Sequence, residues 1–231
     1  MILGGLQKTT LIDYPGKIAC TVFTVGCNFR CPFCYSGELV LPEKIKKQPK
    51  ISEKDFFNFL IERKGLLDGC VLCGGEPTIS EDLPEFCKKI KELGFFVKLD
   101  TNGSNPQIIN RLIDRKLIDY IAMDIKSPKE KYEFYSGAKL LTNVEKSIKL
   151  LRKSKIDFEF RTTIAPGLKK EDIIKIADWI GSDKTSYFLQ EFNEKKPVLN
   201  PKILNFPVLK REEIEEIAEE IKPKFKICKL R

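Results

Sequence analysis

Ile18-Ala19-Cys20-Thr21-Val22-Phe23-Thr24-Val25 is an apolar run that stops at Gly26 and passes directly into Cys27-Asn28-Phe29-Arg30-Cys31-Pro32-Phe33-Cys34-Tyr35. The first stretch reads as a buried strand, since it is rich in residues that fit a pleated surface and is closed by a glycine. The second is a loop with a C-x3-C-x2-C spacing and an aromatic residue on each side of the last thiol. Soft thiolates this close together favour zinc or iron–sulfur chemistry over harder ions. Three of them are one short of the four that close a structural zinc site or saturate a four-iron cluster. An open metal position is therefore expected at the end of this strand.

The same punctuation recurs along the chain. Strands are predicted over residues 18–25, 70–73, 95–100, 120–124, 158–164 and 187–192, with amphipathic helical stretches between them. Ser52 and Asp55 predict a capped helix start ahead of Phe56, Phe59 and Leu60, and Thr142 and Glu145 predict another around Val144, Ile148 and Leu151. Phe86, Ile90 and Leu93 recur at helical spacing before Gly94, and Pro106 suits a first helical turn. Ile214, Ile217 and Ile221 predict a last helix before a basic tail. Strands alternating with helices give an α/β fold with a mostly parallel sheet. A full eight-stranded barrel takes ~250 residues, so six units predict a partial (β/α)6 TIM-like barrel in a single domain. Its expected divisions are an N-terminal extension (1–17), a barrel core (18–192) and a C-terminal helical tail (193–231).

Three more predicted strands end in polar or glycine-rich residues. Cys73 runs into Gly74-Gly75-Glu76-Pro77, Leu99 into Asp100-Thr101-Asn102-Gly103, and Met123 into Asp124-Ile125-Lys126. Ligands of parallel α/β sheets and barrels bind at the carboxyl ends of strands, so these loops and the cysteine loop should face one site. Each also has a plainer reading: a tight diglycine turn, a capping turn at Asp100, a surface ion pair of Asp124 with Lys126. Arg161 and Gln190, polar residues in later strands, suit a cavity or an outward position equally. The cysteines have an alternative too, a zinc knuckle completed by Cys20, Cys70, Cys73, Cys87 or Cys228. No second pair lies on a loop to support it, and Cys70 and Cys73 fall in a predicted strand where their thiols should pack as small hydrophobes.

Composition narrows the chemistry. The chain has no histidine, which excludes Ser-His-Asp triads, histidine bases and mixed Cys/His zinc sites. Basic residues outnumber acidic ones 41 to 33, but they are dispersed among glutamates, the pattern of a solvated surface more than of a nucleic-acid site. No apolar run approaches the ~20 residues that span a bilayer. The N-terminus lacks the features of a secretory signal, so the expectation is a cytoplasmic protein with reduced thiols and no membrane partner.

The cysteine spacing, with Phe33 before the third thiol, resembles the signature of the radical S-adenosylmethionine (SAM) superfamily. That resemblance implies that Cys27, Cys31 and Cys34 hold a four-iron four-sulfur (4Fe-4S) cluster and that S-adenosylmethionine takes the fourth iron. Reductive cleavage would then give methionine and a 5′-deoxyadenosyl radical. Gly74-Gly75-Glu76 is similar to the superfamily's GGE segment, and Asp124-Ile125-Lys126 to a D-(L/I)-K segment of glycyl-radical enzyme activating enzymes. By resemblance the cofactor-binding residues are Phe33, Cys34, Tyr35, Gly74, Gly75, Glu76, Asp100, Asp124 and Lys126, with a monovalent cation near Asp100, Thr101 and Asp124. Tyr35 departs from the histidine of many relatives. Gly5-Leu6-Gln7-Lys8-Thr9-Thr10-Leu11-Ile12-Asp13-Tyr14-Pro15-Gly16-Lys17 resembles the opening of activating proteins for anaerobic ribonucleoside-triphosphate reductase. The implied activity is abstraction of a hydrogen atom from a backbone glycine of a glycyl-radical enzyme, with flavodoxin or ferredoxin as electron donor. Two alternatives remain: a radical enzyme acting on a small molecule of deazapurine type, and a non-enzymatic cysteine-rich module that binds metal and nucleic acid.

Overall fold

The apolar run that precedes Gly26 forms β2 (Ala19–Thr24), near one edge of an eight-stranded sheet in the computed structural model, which describes residues 1–231. Beside it lie β3 (Gly69–Gly74), β4 (Phe96–Thr101), β5 (Tyr120–Asp124), β6 (Asp157–Thr163), β7 (Ser182–Gln190) and β8 (Phe225–Leu230), each parallel to the one before. On the other side β1 (Leu3–Thr10) runs antiparallel to β2. Strand order follows chain order, with β1 and β8 as the two edges, so the sheet is a barrel left open between them.

Helices fill the crossovers. After β2 come two single turns, α1 (Gly37–Val40) and α2 (Pro42–Ile45), then α3 (Glu53–Glu62). The later crossovers carry α4 (Leu83–Glu92), α5 (Pro106–Asp114), α6 (Tyr132–Ser136) with α7 (Leu141–Lys153), α8 (Lys170–Ile180) and α9 (Arg211–Ile221). Ser52 caps α3 as expected, its hydroxyl accepting from Asp55 N at 3.0 Å. Thr142 does not cap α7: the helix begins one residue earlier, and the Glu145 carboxylate instead pairs with Lys129 at 2.6 Å.

Alternation along the strands sorts two interiors. Val22, Leu72, Leu99, Ile121, Phe160 and Leu189 face the helices and join Phe56, Phe86 and Ile109 in a core of 49 buried residues. On the concave side Tyr14, Ala19 and Val71 form a much smaller apolar cluster. Lys98, Asp100, Asp124 and Arg161 line cavities on that side.

The sheet has two strands that sequence reasoning did not place. Strand β1 lies in the expected extension; its Gly4-Gly5 and polar Gln7-Lys8-Thr9 hide the strand pattern, and it is held by backbone pairing to β2. The expected helical tail contains α9 but ends in β8, where Phe225 and Cys228 are buried among lysines that read as a basic tail.

Candidate functional site

Thr24 ends β2, and Gly26 turns the chain with φ +89° while its N–H donates to Leu39 O at 2.7 Å. The cysteine loop then folds under the mouth of the barrel. Arg30 N donates to Ser136 O at 2.8 Å, and the segment after β7 braces the loop from the other side: Leu199 N donates to Cys34 O and Asn200 N to Pro32 O, both at 3.0 Å. That brace carried no readable sequence signal, being a stretch without periodicity.

The loop's own backbone addresses its thiols. Phe29 N donates to Cys27 Sγ at 3.3 Å and Ser36 N to Cys34 Sγ at 3.4 Å, while Cys31 Sγ donates to Ser136 O at 3.8 Å. Burial pushes the Cys27 thiol up to about 11 and Cys31 up to about 12. Neither thiol ionises readily by itself, so binding of a metal here releases protons.

Cys27, Cys31 and Cys34 line one cavity together with Phe33, Tyr35, Gly74, Gly75, Glu76, Asp100, Thr101, Asp124 and Lys126. All the residues expected at the site are thus brought together. Arg161 lines this cavity as well, whereas Gln190 lines a neighbouring one with Arg161 and Arg231. Cys73 also faces the site, unlike Cys70, which lies in the sheet–helix core. Strand alternation was the available signal, since two residues three apart on a strand point to opposite faces.

The diglycine is required by backbone as much as by any ligand. A Cβ on Gly75 would lie 1.8 Å from Gly26 O, and one on Gly74, with φ +108°, would lie 2.5 Å from Thr24 O. Glu76 is buried and ties two loops together: Oε1 accepts from Thr78 Oγ1 at 2.6 Å and Thr101 Oγ1 at 2.7 Å, and Oε2 from Asn102 N at 2.6 Å. Its burial raises the carboxyl despite these donors. Tyr35 is similarly engaged, its ring stacked on Phe192 at 5.5 Å and its hydroxyl accepting from Asn193 N at 2.6 Å.

Charge is concentrated on β4, β5 and β6. Arg161 Nε donates to Asp124 Oδ1 at 2.9 Å and its Nη1 to Asp100 Oδ2 at 2.8 Å, so one guanidinium stands between the two carboxylates. Lys98 pairs with Asp100, and Lys126 Nζ with Asp124 Oδ2 at 3.0 Å. Burial pushes the Asp124 carboxyl up, but Arg161 and Lys126 outweigh it and hold it at about 2. The carboxylates expected to take a monovalent cation therefore already share an arginine.

No group of three or more Cys, Asp or Glu side chains converges on the point that one metal ion would occupy. Cys20, Cys70, Cys87 and Cys228 are buried in the sheet–helix core, and Cys73 lines the cavity without converging with the loop thiols on one point, which leaves the zinc knuckle without a fourth ligand in place. A cubane cluster makes a different demand. Its irons stand apart, so its ligands ring a cavity instead of meeting at a point, and three soft thiols from one loop around an open cavity fit it.

A sequence profile of the Radical SAM superfamily matches residues 21–180. A Methanocaldococcus jannaschii protein with the provisional name glycyl-radical enzyme activating enzyme is 34% identical over 228 residues, covering 94% of this chain and 90% of the relative. A second protein of that organism and provisional name is 29% identical over 188 residues, covering 78% of this chain and 69% of the relative. The solved radical SAM methyltransferase from Sphaerobacter thermophilus matches with a TM-score of 0.69 at 15% identity, over 96% of this chain and 68% of that one, which is a likeness of fold. No helix is long and apolar enough to cross a membrane.

Proposed function

This chain belongs to the radical SAM superfamily, and from that premise we propose that it activates a glycyl-radical enzyme by removing a hydrogen atom from the Cα of one backbone glycine. The observation that carries the reading is the convergence of Cys27, Cys31, Cys34, Gly74, Gly75 and Lys126 on one cavity at the carboxyl ends of parallel strands. The 34% identity to a relative named for that activity, over nearly the whole chain, supports it. When bound, the iron–sulfur cluster and S-adenosylmethionine supply the one-electron bond cleavage that makes hydrogen-atom abstraction possible.

The chain's own residues bind and orient. Cys27, Cys31 and Cys34 would hold the cluster through their thiolates. Lys126 would offer its ammonium to the methionine carboxylate, and Asp124 holds that ammonium in place at 3.0 Å. Bare backbone at Gly74 and Gly75 would accept from the methionine amino group, while Phe33 and Tyr35 wall the cavity. Glu76 acts indirectly by fixing the Thr101–Asn102 turn. Arg161 already supplies the positive charge that a monovalent cation would bring between Asp100 and Asp124, so this reading gives that role to the guanidinium. Equal cofactor cleavage with and without added sodium or potassium supports it; a strict ion requirement overturns it.

Anaerobic ribonucleoside-triphosphate reductase is the proposed partner, on the strength of residues 5–17, and a flavodoxin or ferredoxin the electron donor. The test is anaerobic reconstitution, addition of dithionite, S-adenosylmethionine and the reductase, and electron paramagnetic resonance. A glycyl doublet on the reductase is expected. Cofactor cleavage with no doublet removes this partner, and turnover of a free purine metabolite would move the enzyme to the small-molecule class.

A further inference from the structure

The loop over residues 27–34 has two faces, and only the inner one belongs to the cavity. Cys27, Phe29, Cys31 and Phe33 line that cavity. Arg30 and Pro32, the chain neighbours of Cys31, line a separate surface groove of about 550 Å³ with Phe134, Asn200, Lys202 and Phe206. One thickness of backbone therefore separates the groove from the thiol. That backbone is fixed in place, because the Arg30 guanidinium donates to the carbonyls of Cys27 at 2.6 Å and Phe29 at 2.7 Å.

The groove has the composition of a protein-binding surface. Its two charged residues, Arg30 and Lys202, are both cations, and no carboxylate lines it. Phe134 is 55% exposed and Phe206 46%, large apolar side chains whose exposure in solution is otherwise unfavourable. Their rings meet edge-on at 6.1 Å, and the contact continues inward: Phe134 to Tyr135 at 5.1 Å, then Tyr135 to Phe33 at 6.2 Å. A line of aromatic rings thus runs from the groove to the wall of the cysteine cavity.

We propose that this groove is the docking face for an acidic one-electron carrier protein, which reduces the cluster across the segment formed by Arg30, Cys31 and Pro32. The carrier's redox centre loses one electron and the cluster gains one, with no bond made or broken. Charge complementarity selects this occupant. A chain of net charge +8 presenting only cations in the groove attracts an acidic protein and repels a second copy of itself. The inference rests on the cluster assignment above but not on the identity of the glycine.

The probe is a purified flavodoxin, titrated in its oxidised form against the reconstituted holoenzyme and against a Lys202→Glu/Phe134→Ser variant. Binding to the variant should weaken by about tenfold or more, and salt should weaken wild-type binding. Cleavage of S-adenosylmethionine driven by reduced flavodoxin should fall by the same factor, while cleavage driven by dithionite stays at the wild-type rate and shows that the variant is folded. Equal binding by both proteins, or no binding to wild type, overturns the docking face. A single-stranded oligonucleotide that binds wild type more tightly than flavodoxin and loses affinity in the variant reassigns the groove to nucleic acid. If dithionite drives no cleavage in wild type, the proposed function fails, yet the binding comparison still decides the groove.

Discussion

Gly75 passes so close to Gly26 that a Cβ on it would lie 1.8 Å from the Gly26 carbonyl oxygen. The two loops are locked there, since Glu76 N donates to that same oxygen at 2.8 Å and Gly75 N to Thr24 O at 2.9 Å. Both partners in the clash are backbone, so neither can swing away as a side chain would. Gly75→Ala should therefore cost about 3 kcal/mol, the upper range for overpacking, and should displace the cysteine loop. Urea unfolding and iron content after reconstitution measure the two effects. A variant that unfolds and loads iron as wild type does would show that the approach is not tight.

Asp124 makes stability depend on acid. Its carboxyl sits at about 2 in the folded protein against 3.8 for the free group, because Arg161 and Lys126 outweigh its burial. A depressed carboxyl contributes stability that is complete above the unfolded value and is lost as pH falls from 3.8 through 2. The contribution is about 2 kcal/mol. Relative to wild type, Asp124→Asn should be less stable by that amount at pH 6, and the gap should close as pH falls toward 2. Glu76 works in the opposite sense, since burial raises its carboxyl, but it is present in both proteins and cancels. Parallel stability curves from pH 6 to pH 2 would sink the argument.

What the sequence made legible was whatever lies on regular elements with strong patterns. Strands β2 to β7 announce themselves by apolar runs, and the loops at their carboxyl ends by cysteines, glycines and acids, so the site residues were readable before their distances. Edge strands were not readable: β1 carries Gly4-Gly5 and β8 carries Lys226 and Lys229, and both depend on backbone pairing to a neighbouring strand. Cross-chain contacts were equally hidden. Nothing local says that Arg161 faces Asp100 and Asp124, that Asn200 braces Pro32, or that Glu76 holds Asn102 instead of a ligand.

Glu159 is fully buried on the concave side, where Arg231 donates to both its carboxylate oxygens at 2.8 and 3.1 Å and Tyr120 Oη adds a bond at 2.9 Å. The Arg231 guanidinium also lies 3.4 Å from the Phe188 ring centroid. Arg231→Ala leaves a buried carboxylate without its charge partner and should cost about 3 kcal/mol, in line with breaking a buried pair. Adding Glu159→Gln to that variant should recover part of the loss, because the amide is neutral and keeps the Tyr120 bond. Thermal unfolding of the two single variants and the double variant tests this; strictly additive losses would mean the pair is not coupled.

The eight cysteines should divide into two kinds by experiment as they do by position. Cys27, Cys31 and Cys34 share one loop and one cavity, whereas Cys87 sits on α4 with no exposed surface, packed in the sheet–helix core. Cys31→Ala should fold but lack bound iron and the visible absorbance of a reconstituted cluster, because two remaining thiols cannot hold a cubane. Cys87→Ala should do the reverse, keeping the cluster and losing about 1 kcal/mol of stability through the small cavity left behind. Iron and sulfide analysis beside urea unfolding separates the two. Full iron retention by Cys31→Ala, or a wild-type protein purified without oxygen that holds only zinc, would remove the cluster from this loop and with it the radical chemistry.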